Sequence, residues 1–282
     1  MQPPPTSRPA AAGGVGFRDP LAELAVLGTT LVAVGVLVPE PLAFVVAVLA
    51  AASVALGAVA VLGPGGTGHA ALVASVVPAV TTGAAILAGR LVAPGLLLVP
   101  AVGAAAGLLV AALGVERRIP GRVHGPTAGD RSVARAVALV AAALAFAGIA
   151  AGLPGALVEP VSGAGGGEPV PAEAVALLAV GDASIAALLG YRLTALRGIA
   201  GREVALAALS YALVIGIGAA ALRAMAIPRL LGPALLVLVL YLWDAYRGAP
   251  RGARRDVRAL WEIGLLLLVG IVVVAWNVLS RG

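Results

Sequence analysis

The chain has 282 residues, of which 61% are hydrophobic and only 11% charged, with 38 glycines, 20 prolines, no cysteine and a formal charge of +6. A soluble domain carries about 25% charged residues, so this composition excludes a body that keeps itself in water, and its apolar content excludes a disordered chain. The lack of cysteine excludes disulfides, thiolate metal sites and a cysteine nucleophile.

Residues 1–20, MQPPPTSRPAAAGGVGFRDP, hold no apolar run and read as a flexible cytoplasmic tail rather than a signal peptide. From there to residue 282 the chain reads as one transmembrane domain. Apolar runs predict spans at 21–38, 41–62, 70–89, 93–114, 133–153, 172–190, 203–223, 228–246 and 259–279, each near the roughly 20 residues that a helix needs to cross about 30 Å of hydrocarbon. The predicted fold is therefore all-α, a polytopic membrane bundle of about nine helices, multi-pass in the cell membrane. The Gly/Pro-rich segment 154–171 reads as an external connector.

All 19 basic residues are arginines, and 15 of them fall on one side if the N-terminus is inside; Arg90, Arg223, Arg229 and Arg281 fall on the other. Cytoplasmic loops carry such an excess of positive charge, so the expected orientation is N-in and C-out. The arginines then face membrane lipids. No aromatic-plus-basic pattern points to a nucleic-acid partner.

An ionisable side chain inside a span is costly and is a candidate for function. Asp182, in the sixth span, reads as lying about two turns before a cytoplasmic end at Gly190. An unpaired carboxylate there would cost several kcal/mol, so an arginine partner is expected, with Arg192 or Arg197 folding back from the loop. Asp244 is expected to pair with Arg247, three residues on, while Glu23 and Glu262 sit in first turns, where the helix dipole favours a carboxylate. His69 and His124 read as loop residues with no ligand spacing around them. No histidine stands beside Ser75, Ser184 or Ser210 to activate a hydroxyl, and GPGGTG (63–68) and GAGGG (163–167) read as turns.

The stretch 181–203, GDASIAALLGYRLTALRGIAGRE, combines these features. Asp182, Ala186 and Gly190 share one helix face at i, i+4 and i+8, and Arg192, Arg197 and Arg202 follow. A carboxylate above a group of arginines could hold a phosphate, alone or with a metal, because guanidinium forks match phosphate oxygens.

This stretch resembles the UbiA superfamily of intramembrane prenyltransferases, whose second Asp-rich motif reads roughly D-x3-D-x3-G-x-R-T-L-x-V-R-x-G. Asp182, Gly190 and Arg192 match its first Asp, its Gly and its Arg; Arg197 and Gly201-Arg202-Glu203 look like its tail. Ala186 stands where the second Asp would be, and 62–72 lacks the carboxylates of the first motif. The segment GDASIAALLGYR is also faintly similar to the Gly-Asp-Ala segment of CTP-dependent polyprenol kinases. The UbiA resemblance covers about 100 C-terminal residues and the topology. It implies transfer of a prenyl group from a polyprenyl diphosphate to a hydrophobic acceptor, Mg²⁺ held by Asp182, and Arg192, Arg197 and Arg202 on the diphosphate. Asp130 and Asp244 are the nearest further carboxylates by topology. Departure from the motifs leaves room for a catalytically diverged relative. A small-solute transporter or channel and a non-catalytic membrane subunit are the other readings.

Overall fold

Prolines, glycines and capping side chains set the helix boundaries. The computed structural model describes residues 19–39, 42–63, 68–92, 96–119, 126–152, 172–199, 201–225, 231–249 and 257–279, and every regular element among them is a helix. These are α1 (Pro20–Val36), α2 (Leu42–Leu62), α3 (Gly68–Gly89), α4 (Leu98–Arg118), α5 (Ala128–Gly152), α6 (Ala172–Ala195), α7 (Arg202–Ala224), α8 (Leu231–Gly248) and α9 (Val257–Leu279). Asp19 caps α1 by accepting from the Leu21 amide at 3.2 Å, with Pro20 in the first turn, where its missing N–H is not needed. Thr127 and Asp130 form a capping box at the start of α5: the Asp130 amide donates to Thr127 Oγ1 (3.1 Å), and Asp130 Oδ2 accepts from the Thr127 amide (3.0 Å) and hydroxyl (2.6 Å). Gly198 and Gly201, at φ +77° and +67°, turn the chain from α6 into α7 in a backbone region that side chains disfavour.

Six of the helices, α2 to α7, are long and apolar enough to cross a bilayer. Their outward faces carry exposed Leu56, Val110, Leu177, Leu213 and Ile217, an apolar surface that suits lipid and not water. The chain is a multi-pass helical membrane bundle.

The packing repeats in part. α2 packs most extensively on α3, and α6 on α7; α1 lies against α4 as α5 lies against α8. The helix groups α1–α4 and α5–α8 thus share much of a packing scheme, although α1 also packs on α3 while α5 has no comparable contact with α7. They meet along α3, which packs on α5 and α6 as well as on α2 and α4. α3 is buried on most sides, and its buried residues mix small and hydroxylic side chains, among them Ala71, Ala74, Ser75, Thr81, Thr82, Ala84 and Ala88, with aliphatic ones such as Val77, Val80, Ile86 and Leu87. Pro78 lies inside this helix; Thr81 and Thr82 donate their hydroxyls to the Val77 and Pro78 carbonyls at 2.8 and 3.0 Å, so no hydroxyl there is left unbonded in the core. Glycines permit the closest approaches. A Cβ on Gly148 would stand 2.9 Å from the Ala88 nitrogen, and one on Gly190 would stand 2.5 Å from the Tyr211 ring. α9 has its main contact on α8 and otherwise shows apolar side chains outward.

Several boundaries differ from the predicted spans. α4 starts at Leu98 and runs on to Arg118, α5 starts at Ala128, and α6 continues past Gly190 to Ala195. In α4 and α6 apolarity ends before the helix does, because arginines in a last turn are favoured by the helix dipole; α5 starts early on the Thr127–Asp130 capping box. His69 belongs to the first turn of α3 rather than to a loop, and its Nε2 lies 3.2 Å from the Tyr191 hydroxyl. Most of the tail, the 154–171 connector, His124 and the side chain of Glu262 lie outside the described residues.

Candidate functional site

Asp182 is fully buried near the middle of α6. Helical rise places it roughly 15 Å from Ala172 and roughly 20 Å from Ala195. The longer helix explains why the expected partners do not reach it: Arg192 lies ten positions further along α6, roughly 15 Å away along the axis, and Arg197 lies beyond that. Arg223 takes the carboxylate instead, Nη2 to Oδ2 at 2.7 Å. Because α6 and α7 form an antiparallel hairpin, the last turn of α7 stands beside the first half of α6, and the Arg223 stem reaches inward from there. The pair is close but poorly aligned. Neither Asp182 oxygen nor Arg223 Nη1 has a hydrogen-bond partner among the described residues, although these atoms are buried.

Arg192, in the last turn of α6, is also buried and is held by Glu116 of α4 in a two-point contact. Its Nε donates to Oε1 at 2.8 Å and its Nη2 to Oε2. This fork-on-carboxylate geometry is the strongest form of arginine pairing. Glu116 was missed in the sequence because a Glu followed by two arginines reads as the start of a loop. The signal that could have found it is the same Arg117-Arg118 pair, which marks a helix C-terminus as well as a loop.

Asp244, at the end of α8, is the third buried carboxylate. Its described contacts are not to Arg247 but to two arginines from elsewhere in the chain. Arg135 Nε of α5 stands 2.7 Å from Oδ2, and Arg197 Nη2 pairs with Oδ1 and donates to the Asp244 carbonyl at 2.9 Å. The buried Tyr211 hydroxyl donates to the same Oδ1 at 2.7 Å. Gly190 makes that contact possible, since it leaves the space that the Tyr211 ring occupies. An i+3 partner in a helix competes here with side chains pinned by α5, α7 and the α6–α7 turn, and tertiary packing prevails.

Arg202 opens α7 and is exposed. The residues chosen from the sequence therefore do not converge. Asp182 is in the middle of the bundle on Arg223, while Arg192 and Arg197 lie at one end of it on Glu116 and Asp244. The group at that end contains three residues that sequence reasoning did not single out as site residues: Glu116, Arg135 and Tyr211.

Mg²⁺ needs an octahedral set of oxygens, usually with one or two carboxylates beside water and phosphate. The donors present do not fit it. Asp182 already faces a guanidinium, Ala186 supplies no oxygen, and Asp130 is engaged in the α5 capping box. Among the described residues no three His, Cys, Asp or Glu side chains gather in a group that could hold a metal.

A cleft of about 270 Å³ opens between α1, α3, α4 and α5, near the bundle end away from Arg192. Its lining side chains are all apolar, with Val32, Ala85, Leu98, Ala105, Val140 and Leu144 among them, and none of Asp182, Arg192, Arg197 and Arg202 lines it. It can accept a hydrocarbon chain but offers no group for acid–base or phosphate chemistry. Compared with known proteins, the chain matches no family model, no curated protein and no solved structure.

Proposed function

We propose that the chain is a nine-span protein of the cell membrane, N-in and C-out, and a catalytically diverged relative of the UbiA-type prenyltransferases that no longer ionises a diphosphate. One observation carries this reading. Three of the four residues that match the motif and could bind diphosphate or metal are engaged in internal ion pairs, Asp182 with Arg223, Arg192 with Glu116 and Arg197 with Asp244, while Arg202 is exposed at the start of α7. A working diphosphate site keeps its carboxylates for the metal and its arginines for the phosphate oxygens. The gathering of Arg117, Arg118, Arg131, Arg135, Arg192, Arg197 and Arg202 toward one end of the bundle supports the orientation. α9 is 23 residues long, about 34 Å of helix, and its stretch Gly264–Trp276 is apolar, which supports a ninth span.

Binding of a polyprenyl diphosphate to the purified full-length protein, with and without Mg²⁺, tests the proposal. The expected result is no Mg²⁺-dependent gain in affinity. A gain that Asp182→Asn abolishes restores the catalytic reading, with a polyprenyl diphosphate and a hydrophobic acceptor as substrates.

The mid-bundle pair favours a second reading. Charged pairs inside spans mark ion and proton pathways, and parallel structural repeats recur in transporters; Asp182–Arg223 and the partly repeated four-helix packing have both properties. Proteoliposomes decide it: solute or proton flux above that of empty vesicles, lost in Asp182→Asn, establishes transport.

A further inference from the structure

At the end of the bundle where α5 begins and α8 ends, two guanidiniums share one carboxylate. Asp244 carries one negative charge, and Arg135 and Arg197 carry one positive charge each, so the group holds an excess cation. Arg197 lies further in, with Nη2 bonded both to the Asp244 carboxylate and to its carbonyl. Arg135 lies at the rim, its side chain 32% exposed. Its guanidinium carbon stands 4.7 Å from the centre of the Tyr241 ring, and its Nη2 reaches the Tyr241 carbonyl at 3.4 Å. No hydrogen bond or ion pair to the described residues involves its Nη1. Tyr241 is itself exposed on the outer face of α8. The depth is within side-chain reach of the membrane interface. α5 has 25 residues, about 37 Å of helix against about 30 Å of hydrocarbon; Arg135, about 10 Å from its start, lies about one turn inside the hydrocarbon edge, and its long stem reaches from there toward the headgroups.

We infer that the α5–α8 crevice at Arg135 and Tyr241 is a binding site for the phosphodiester of an anionic phospholipid in the leaflet at the arginine-rich end of the bundle. The Nη1 edge of Arg135, unbonded among the described residues, donates to phosphate oxygens, the Asp244 ion pair and the Tyr241 ring hold the guanidinium in place, and the Tyr241 ring packs beside the glycerol backbone. The occupant follows from charge and place: among the described residues the site has one cation too many, lies within side-chain reach of the headgroups and is open to the bilayer. Arginines at the membrane surface gain about 1 kcal/mol each from anionic lipid, which corresponds to roughly five-fold. The inference rests on the membrane placement of α5 and α8 and not on the UbiA reading.

The test uses the full chain reconstituted in equal parts of phosphatidylglycerol and phosphatidylcholine with identical acyl chains, then extracted gently so that retained lipid can be counted by native mass spectrometry. The wild-type protein is expected to retain phosphatidylglycerol about five-fold over phosphatidylcholine. Arg135→Gln should bring that ratio close to one. Tyr241→Leu leaves the Arg135–Asp244 pair intact and should lower the ratio part of the way; it carries the test if Arg135→Gln does not fold. Inorganic phosphate in excess should leave the ratio unchanged. Equal retention of the two lipids by the wild type overturns the inference. So does an undiminished preference in a folded Arg135→Gln protein or in Tyr241→Leu, and so does loss of the preference to free phosphate, which would make the site a general anion site.

Discussion

The two four-helix units share much of a packing scheme and differ in what fills it. In α1–α4 the described charged residues Asp19, Glu23, Arg90, Glu116, Arg117 and Arg118 stand at or near helix ends, only Glu116 among them buried, and the interior is closed by side chains such as Val54, Ile86, Leu109 and Leu113. In α5–α8 the interior holds Asp182, Arg192 and Asp244, and it borrows Glu116 from the first unit to pair with Arg192. One arrangement of antiparallel helices therefore accepts either an alkyl or an ionic interior. What the halves have in common is close approach at small residues, such as Gly35 against Ile86 in the first and Gly190 against Tyr211 in the second. In lipid no hydrophobic drive brings helices together, so van der Waals contact at small residues supports both units. The ion pairs of the second unit add partner choice. Buried ion pairs contribute little net stability, because desolvation offsets attraction, but Arg192–Glu116 and Arg135–Asp244 join elements far apart in sequence.

The comparison is broken most severely at Asp244. Asp244→Leu leaves two arginines and the Tyr211 hydroxyl without their acceptor, and should destabilise the protein by about 3–5 kcal/mol. Thermal unfolding in detergent reads this directly; a loss below about 1 kcal/mol would mean that the second unit is held by its apolar contacts alone, like the first. A sharper cut is made between the units. Glu116→Leu alone should cost about 3 kcal/mol, because Arg192 is left buried and unpaired, and adding Arg192→Leu should recover most of it, since an apolar pair can replace a buried ion pair at little cost. Additive losses in the double variant would show that Arg192 depends on more than Glu116. The smallest effects compare glycines. Gly190→Ala should cost about 1–3 kcal/mol through the Tyr211 ring. Gly103→Ala in α4, where a Cβ meets nothing within 4 Å, should stabilise by up to about 1 kcal/mol.

The long apolar runs made α2 to α7 legible, because a span needs only length and hydropathy to be recognised. The position of Asp182 inside a span was legible too, and so was its need for an arginine. Which arginine was not. Sequence proximity favours Arg192 and Arg197, and an arginine near the far end of a helix, such as Arg223, is normally read as reaching outward to the headgroups. The inward turn of Arg223 depends on the α6–α7 hairpin, and no spacing along the chain reports it. The same holds for Glu116 with Arg192 and for Asp244 with Arg197, which are 76 and 47 residues apart. Gly190 shows how one residue can support two interpretations. Its place after Asp182 fits a motif, while in the structure it opens room for Tyr211, whose hydroxyl then reaches Asp244.

The position of α3 has a consequence for biogenesis. A membrane protein is inserted from its N-terminus, so α3 enters the bilayer before α5 and α6 have been synthesised, although these helices cover much of its alanine, serine and threonine surface in the finished bundle. During that interval α2 is its principal companion. The α2–α3 hairpin must therefore wait in the bilayer with one flank open to acyl chains until the second half of the chain emerges. A ribosome stalled after α4 would leave that flank uncovered, exposed to quality-control proteases that survey unassembled spans.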